Sequence, residues 1–231
     1  MIGDFFSEAV FLGVFITLGA YFLGTYIKRK WKLAIFNPLL LAIVFTILFL
    51  LVSHTSYDTY YEGAKYISYL LTPATVSLAI PLYEQFEALR RNVRAIMVGI
   101  ATGVLTSLTS VLILAVIFHF DHKEYVTFLP KSITTAIGMG VSEELGGYVA
   151  ITVAVIIITG IIGNMIAETV CRLFHITEPV AKGIAIGSAS HAIGTTKAME
   201  MGEVEGAMSS LSIVLSGLLT VFGVMLFANL R

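Results

Sequence analysis

Charged side chains are scarce in this chain. Lys, Arg, Asp and Glu make up 13% of its 231 residues, whereas about a quarter of the residues of a soluble domain are charged. Hydrophobic residues make up 57%, and the mean hydropathy is +0.91. This composition leaves almost no room for a soluble domain and predicts an integral membrane protein. The formal net charge of −1 gives no support to nucleic-acid binding.

Cysteine and catalytic motifs are equally sparse. The single cysteine, Cys171, excludes an internal disulfide and lacks the spacing pattern of a metal or redox centre. No G-x-S-x-G, H-E-x-x-H or P-loop sequence occurs. We therefore expect no enzymatic activity, no bound metal and no cofactor.

Long apolar runs dominate the chain. About 20 apolar residues cross a bilayer as a helix, and five runs approach or exceed that length: 7–27, 35–52, 95–118, 148–170 and 205–228. Three further segments are shorter or interrupted by polar residues: 67–84, 129–144 and 182–200. The pattern predicts an all-α, polytopic membrane protein with about seven or eight membrane segments, in a single domain over residues 1–231.

The charges beside the first runs predict their orientation. Asp4 and Glu8 stand at the start of the first run, and the basic cluster at 28–32 follows it, which is the reverse of a signal peptide. We expect a retained first span in a bacterial plasma membrane, with the N-terminus outside and the arginines of 87–94 inside. Beyond residue 128 two topologies remain, because 129–144 either crosses fully or dips in and returns.

Two segments share a proline followed by small and hydroxyl residues, LTPATVSLAI (71–80) and LPKSITTAI (129–137). Transporters often consist of two structural repeats whose broken helices enclose the substrate site. Chance similarity between apolar helices is the alternative, and these residues do not decide between the two.

Lys131 follows a proline directly, in the stretch PKSITT. A helix that begins there presents free backbone N–H groups, which favour an anion. Ser132, Thr134 and Thr135 add further donors, so that the group suits a small carboxylate. The alternative is that Lys131 extends to the membrane interface while the hydroxyls cap the helix.

His191 lies in GSASHAIGTTKAM (187–199), a polar stretch within a mostly apolar chain. Its ring can donate to an anion or carry a proton near neutral pH. At helical spacing it shares a face with Gly183, Gly187 and Thr195. The alternatives are a packed, hydrogen-bonded histidine and close helix packing at the glycines. The residues that we expect to form a second half of the site are Ser190, His191, Gly194 and Thr195.

Three further charged residues are candidates for coupling or gating: Glu143, Glu205 and Lys197. A carboxylate among them would take a coupling proton or cation. The alternative places all three at polar helix ends and turns, with Lys197 paired to Glu200 or Glu203.

Three stretches together resemble the LrgB/CidB family: PKSITT (130–135), GSASHAIGT (187–195) and GEVEGAMSSL (202–211). They occur in the family's order, and the resemblance covers essentially the whole chain, most closely from about residue 129. One departure is Ala136, where the family commonly has proline.

The resemblance implies two functions. One is that of a transporter subunit for pyruvate or a similar small carboxylate, since the family is related to the plastid glycolate/glycerate transporter. Such members work with a small LrgA/CidA-like membrane partner, which implies a homo- or hetero-oligomer. The other function is holin/antiholin-like regulation of murein hydrolase activity and cell lysis. A lytic pore does not need lysine, histidine and hydroxyls gathered at broken segments, so the residues favour carboxylate transport.

Overall fold

The computed structural model describes residues 11–31, 36–77 and 79–231. These residues fall into two compact units, Met1–Ser77 and Leu78–Arg231. Every regular element in the described ranges is helical, which confirms the predicted all-α class. Asp4, Glu8 and Lys32, which entered the predicted orientation of the first span, lie outside the described residues. The single membrane domain stays a prediction.

The first unit contains four helices: α1 (Leu12–Trp31), α2 (Pro38–Ser53), α3 (Tyr57–Ser68) and α4 (Leu71–Ser77). Asn37 starts α2, because its side chain accepts hydrogen bonds from the backbone N–H groups of Leu39 and Leu40 at 2.9 and 3.3 Å. Ser56 caps α3 in the same way, through the N–H of Thr59 at 3.2 Å. Side-chain caps thus fix where two of these helices begin.

The second unit contains seven helices among its described residues, followed by one 3₁₀ turn at Ala228–Leu230. They are α5 (Ala79–Glu84), α6 (Phe86–Ile117), α7 (His122–Phe128), α8 (Thr135–Glu144), α9 (Val149–Leu173), α10 (Pro179–Met201) and α11 (Glu203–Phe227). Within 67–84, the segment predicted to be interrupted, the described residues show a turn at 69–70 between α3 and α4.

Three helical stretches of the described residues are long and apolar enough to cross a membrane: Arg90–Ile117, Val149–Leu173 and Glu203–Leu230. They coincide with three of the predicted runs, and α2 is apolar but shorter. The chain is therefore a membrane protein by length and composition of its helices. The total of seven or eight segments stays a prediction.

The helices of the second unit define two ends of a bundle. The phenol of Tyr125 in α7 donates to the carbonyl of Phe227 at 3.0 Å, and the N–H of Tyr148 donates to Thr127 Oγ1 at 2.8 Å. The end of α11 and the start of α9 therefore lie together, and we call this the Tyr148 end. The opposite end, where α9 finishes, is called the Leu173 end.

Residues 121–148 form a hairpin, named hairpin A, that enters the bundle and returns. A capping box of Asp121 and Glu124 starts α7 at the Tyr148 end. The chain turns at 129–134, and α8 runs back to Tyr148 beside Thr127. Thr152 of α9 holds both arms, since its hydroxyl is hydrogen-bonded to the Thr127 carbonyl at 2.9 Å and to Ser142 at 2.7 Å. Of the two topologies left open above, the structure has dip and return.

Residues 179–201 form a second hairpin, hairpin B, within what is nominally one helix. The backbone of His191 leaves the helical region, with φ 43° and ψ −142°. Before this point the chain runs parallel to α11, since Gly183 lies against Glu205 and Gly187 against Ser209. A reversal at His191 sends the remaining residues back towards the end from which they came.

Two ion pairs show that both arms of hairpin B finish at the Leu173 end. Lys182 of the first arm pairs with Glu205 of α11 at 3.9 Å. Lys197 of the second arm pairs with Glu168, near the end of α9, at 3.3 Å. Each arm has about 10–12 residues and spans roughly 15–18 Å, so the tip at His191 reaches about halfway through a hydrocarbon core of about 30 Å. The expected continuous face through Gly183, Gly187, His191 and Thr195 is wrong beyond Gly187, because the helix reverses there.

We predict that Gly187→Ala destabilises the protein. A Cβ at this position would overlap the carbonyl oxygen of Ser209 and force hairpin B away from α11. Overpacking of this kind costs about 1–3 kcal/mol, which thermal unfolding in detergent would measure. Gly140→Ala is the matched control, because no heavy atom lies within 4 Å of the added Cβ. Equal melting temperatures for the two variants would contradict the described contact between hairpin B and α11.

Candidate functional site

The second unit contains a cavity of about 830 Å³ that is open on one side. Its walls come from α6, α9, the turn of hairpin A and the first arm of hairpin B. Along α6 the lining extends from Asn92 to Ser110, which is about 27 Å at 1.5 Å per residue. That length is close to the roughly 30 Å of a bilayer's hydrocarbon core. The cavity therefore runs along α6 over a length close to the thickness of a hydrocarbon core.

Two stripes of different residues on α6 explain why the cavity forms beside this helix. One stripe is bulky and buried: Ile96, Ile100, Val104 and Leu108. The other is small or hydroxylated and lines the cavity: Gly99, Gly103, Thr106, Ser107 and Ser110. Both follow the spacing of three or four residues that keeps side chains on one helical face. Small side chains leave the space unfilled, while hydroxyls make its wall polar.

Lys131 projects from the turn of hairpin A into this cavity wall. Its ammonium donates to Ser132 Oγ at 3.0 Å, and Ser107 Oγ of α6 donates to the same oxygen at 3.1 Å. Among the described residues no carboxylate pairs with Lys131 within 4 Å. A half-buried cation without a counter-ion attracts an anion, because burial weakens its interaction with water.

Glu178 is the carboxylate among the described residues that line the cavity, and it lies far from Lys131. Gly99 faces Ile184 and Gly103 faces Ser188, so α6 and the first arm of hairpin B run side by side. In this alignment Glu178 is level with residue 93, whereas Lys131 is level with Ser107. The separation is about 20 Å along the axis, which is too long for an ion pair. The cavity thus has a carboxylate at its Leu173 end and a cation near its other end, close to Ser110.

Ser190, which belongs to the predicted second half of the site, also lines the cavity. It stands at the tip of hairpin B, against Gly163 of α9, where any Cβ would overlap its hydroxyl. The residue is 3% exposed, and its hydroxyl has no hydrogen-bond partner in the part of the chain that the structure describes. Ser190 therefore offers a free hydroxyl to whatever occupies the cavity.

His191 does not line the cavity, although it follows Ser190 directly. Its ring is buried at 2% exposure, and Nε2–H donates to the carbonyl of Ile156 at 3.0 Å. The carbonyl can only accept, which fixes the proton on Nε2. The His191 ring thus contacts α9 and does not line the cavity, and its contact with a substrate stays a prediction.

The remaining predicted binding residues lie close to the cavity without lining it. Thr134 is the N-cap residue of α8 by its backbone geometry, but its side chain makes no capping hydrogen bond. Because Thr135 is the first residue of α8, Lys131 precedes the helix and does not stand in its first turn. Gly194 packs against Ser190. Thr195 is fully buried, donates to the His191 carbonyl at 2.9 Å and shares a hydrogen bond of 2.7 Å with Ser209. These residues support the tips of the hairpins.

The three candidates for coupling or gating are dispersed. Glu143 is exposed on α8. Glu205 is buried and pairs with Lys182, while Lys197 pairs with Glu168 and with Glu200, each at 3.3 Å. None of the three lines the cavity. In the described ranges no three His, Cys, Asp or Glu side chains cluster as metal ligands would.

The polar stripe of α6 and Glu178 were not among the site residues predicted from the sequence. The stripe was visible as GIATGVLTSLTS, in which small and hydroxyl residues recur every three or four positions inside an apolar run. Hydroxyl residues satisfy their own helix's carbonyls, as Thr102 does with Val98 at 2.7 Å, so the pattern passes for an ordinary span. Glu178 belongs to no sequence pattern that would have predicted its place in the cavity.

Comparisons with known proteins point to one family. The sequence profile of the LrgB-like family matches residues 17–230. The antiholin-like protein LrgB of Bacillus subtilis (strain 168) is 36% identical over 221 residues, which cover 95% of this chain and 96% of that protein. The protein of the same name from Bacillus mycoides (strain KBAB4) is 36% identical over 218 residues, covering 94% and 95%. No solved structure matches the chain.

Proposed function

Because this chain belongs to the LrgB-like family, we propose that its cavity passes pyruvate, or a carboxylate of similar size, across the membrane. The observation that carries the proposal is Lys131, a cation without a carboxylate partner among the described residues, in a cavity about as long as a bilayer core is thick. The activity is non-enzymatic and needs no cofactor.

The donors at Lys131 suit one carboxylate. An ammonium has three N–H bonds, and one is used on Ser132. The oxygen of Ser132 accepts from both Lys131 and Ser107, so the proton of Ser132 is free to donate elsewhere. Two N–H groups and one O–H group then remain for the anion. Hydrogen bonds with an ionised partner are about twice as strong as neutral ones.

The proposed passage is supported by the lining on one side of this group. From Lys131 towards the Leu173 end, hydroxyls and glycines of α6 line the route as far as Asn92. Their dipoles replace part of the water that the anion loses, without a fixed charge that would hold it. Glu143, Glu205 and Lys197 stay candidates for coupling or gating.

The resemblance of the sequence supplies the setting of the proposal. We place the protein in the bacterial plasma membrane as a multi-pass subunit with its N-terminus outside. A small LrgA/CidA-like membrane protein would be its partner, in a homo- or hetero-oligomer. Residues 1–10 lie outside the described residues, so the orientation is a matter for accessibility labelling.

Equilibrium binding tests the proposal most simply. Purified protein in detergent is incubated with radiolabelled pyruvate, and bound label is counted by scintillation proximity. We expect saturable binding that unlabelled short carboxylates displace and choline does not. Absence of binding for pyruvate and for every other short carboxylate would remove carboxylate passage as the function.

A second function has its own support. The relatives are named antiholin-like proteins, and these names favour a regulator of murein hydrolase activity and cell lysis over a carboxylate carrier. Lysis rates of a bacterial strain lacking its LrgB-like gene, complemented with wild type or Lys131→Met, separate the two. If carboxylate passage underlies any effect on lysis, Lys131→Met fails to complement. Full complementation by this variant would assign the lysis effect to antiholin-like activity that does not use the cavity.

A further inference from the structure

We infer that His191 is a positioning residue: it turns the chain at the tip of hairpin B and anchors the tip to α9, so that the hydroxyl of Ser190 faces the cavity. The geometry stands without the proposed function. The contact of the Ser190 hydroxyl with a substrate rests on the proposed function.

The backbone at the tip is the first observation. His191 has φ 43° and ψ −142°, a combination that glycine adopts freely and that costs a residue with a Cβ free energy. Glycine would therefore be the undemanding choice for this turn. A histidine held there against its backbone preference indicates that the structure uses its side chain.

The anchor is the second observation. The imidazole occupies a slot beside Gly160, where an added Cβ would lie 2.7 Å from Cε1. Nε2–H donates to the carbonyl of Ile156 at 3.0 Å, and a carbonyl oxygen has a second lone pair for its helical partner. The side chain of Ile156 packs where Gly138 of hairpin A lacks a Cβ. One residue of α9 therefore touches both hairpins near their turns.

Ser190 is the third observation, since it gains its position from this anchor. Gly163 leaves room for its hydroxyl, which lines the cavity without a hydrogen-bond partner among the described residues. The hydroxyl is therefore available to hydrogen-bond with a molecule in the cavity. An oxygen at C2 of a bound acid would satisfy it, while Lys131 takes the carboxylate. His191 thus acts through Ser190 and does not touch the substrate.

The single cysteine makes this positioning measurable. Cys171 is the chain's only cysteine and is buried, so Cys171→Ser provides a background for Ser190→Cys. We expect a small methanethiosulfonate reagent to label Ser190→Cys through the cavity. Adding His191→Gly, which suits the backbone but removes the anchor, is expected to slow labelling about tenfold, the ratio given by one lost hydrogen bond of typical net strength.

Thr106→Cys is the matched control, since Thr106 lines the same cavity on α6. Its labelling should not change with His191→Gly if the protein remains folded. Equal labelling of Ser190→Cys with and without His191→Gly, while Thr106→Cys reports an intact cavity, would overturn the inference. Lack of labelling of Ser190→Cys beside a labelled Thr106→Cys would overturn it as well.

The preference for pyruvate over propionate in uptake is a second readout, and it rests on the proposed function. Propionate resembles pyruvate but lacks the oxygen at C2. The ratio of uptake efficiency, pyruvate over propionate, is expected to fall about five- to tenfold in Ser190→Ala, as for one lost hydrogen bond. His191→Gly should lower it similarly, and the double variant no further, because the two residues act as a unit.

Additive losses in the double variant would show that His191 does not act through Ser190 and would overturn the inference. A failure of the proposed function would give a different result in the uptake experiment. Wild type would then take up neither acid, while the labelling experiment would still decide how His191 positions Ser190.

Discussion

Lys131→Met is expected to raise the KM for pyruvate uptake about 10- to 150-fold, because hydrogen bonds to a charged group contribute about 1.5–3 kcal/mol. Methionine has a similar length but neither charge nor N–H donors, so the variant removes both contributions to carboxylate binding. Ser132 loses one of its two donors but keeps Ser107 at 3.1 Å. Initial rates in proteoliposomes at equal protein content measure the change.

Lys123→Met is the matched control for this prediction. Lys123 belongs to the same hairpin, is exposed, and lies 4.3 Å from the ring centre of Tyr148. It does not line the cavity. We expect its KM to equal that of wild type. Equal KM values for Lys131→Met and Lys123→Met would show that Lys131 does not bind the carboxylate.

Thr106→Trp is expected to reduce the maximal rate of uptake by about an order of magnitude or more, because selectivity and flux in a narrow passage depend on its diameter. Thr106 lines the cavity close to the level of Ser107 and Lys131. An indole at this position fills space through which the anion passes. Uptake rates and size-exclusion profiles, measured together, separate a blocked cavity from a misfolded protein.

The control for Thr106→Trp is its neighbour, Leu105→Trp. Leu105 is 56% exposed and does not line the cavity, so the same side chain then projects away from the passage. We expect near wild-type uptake from this variant. If both tryptophans reduce uptake equally, the effect belongs to α6 in general, and the cavity is not the route.

The long helices were predictable because every apolar residue in a long run adds to the preference of that run for a membrane-spanning helix. The apolar runs at 95–118, 148–170 and 205–228 coincide with α6, α9 and α11, since about 20 apolar residues have few alternatives to a helix in lipid. Lys131 and Ser132 were predictable for a related reason. A lysine inside an apolar chain is a candidate functional residue by default, and the structure places Lys131 and Ser132 in the cavity wall, while their binding of a carboxylate stays a prediction.

The turn at His191 was not predictable from residue types. Chain reversals usually carry glycine or proline, and a histidine with φ 43° carries neither signal. Helical periodicity through 183–195 therefore seemed continuous, and it placed His191 on the same face as Gly187. Tertiary contacts decide this turn: the slot at Gly160 and the carbonyl of Ile156 compensate for the strained backbone.

The roles of Glu205 and Lys197 depended on partners that are distant in sequence. Lys182 lies 23 residues before Glu205, and Glu168 lies 29 residues before Lys197. Only the reversal of hairpin B brings each pair together. Both groups then hold the Leu173 end of the hairpin instead of facing the cavity.

The most direct test of carboxylate passage is uptake of radiolabelled pyruvate into proteoliposomes that contain the purified chain, alone and with its small membrane partner. We expect saturable uptake by wild type and Lys123→Met, and about 10- to 150-fold slower uptake by Lys131→Met at a pyruvate concentration well below the KM of wild type. Absence of uptake by wild type, with or without the partner and under every applied ion gradient, would contradict carboxylate passage and leave antiholin-like regulation as the remaining function.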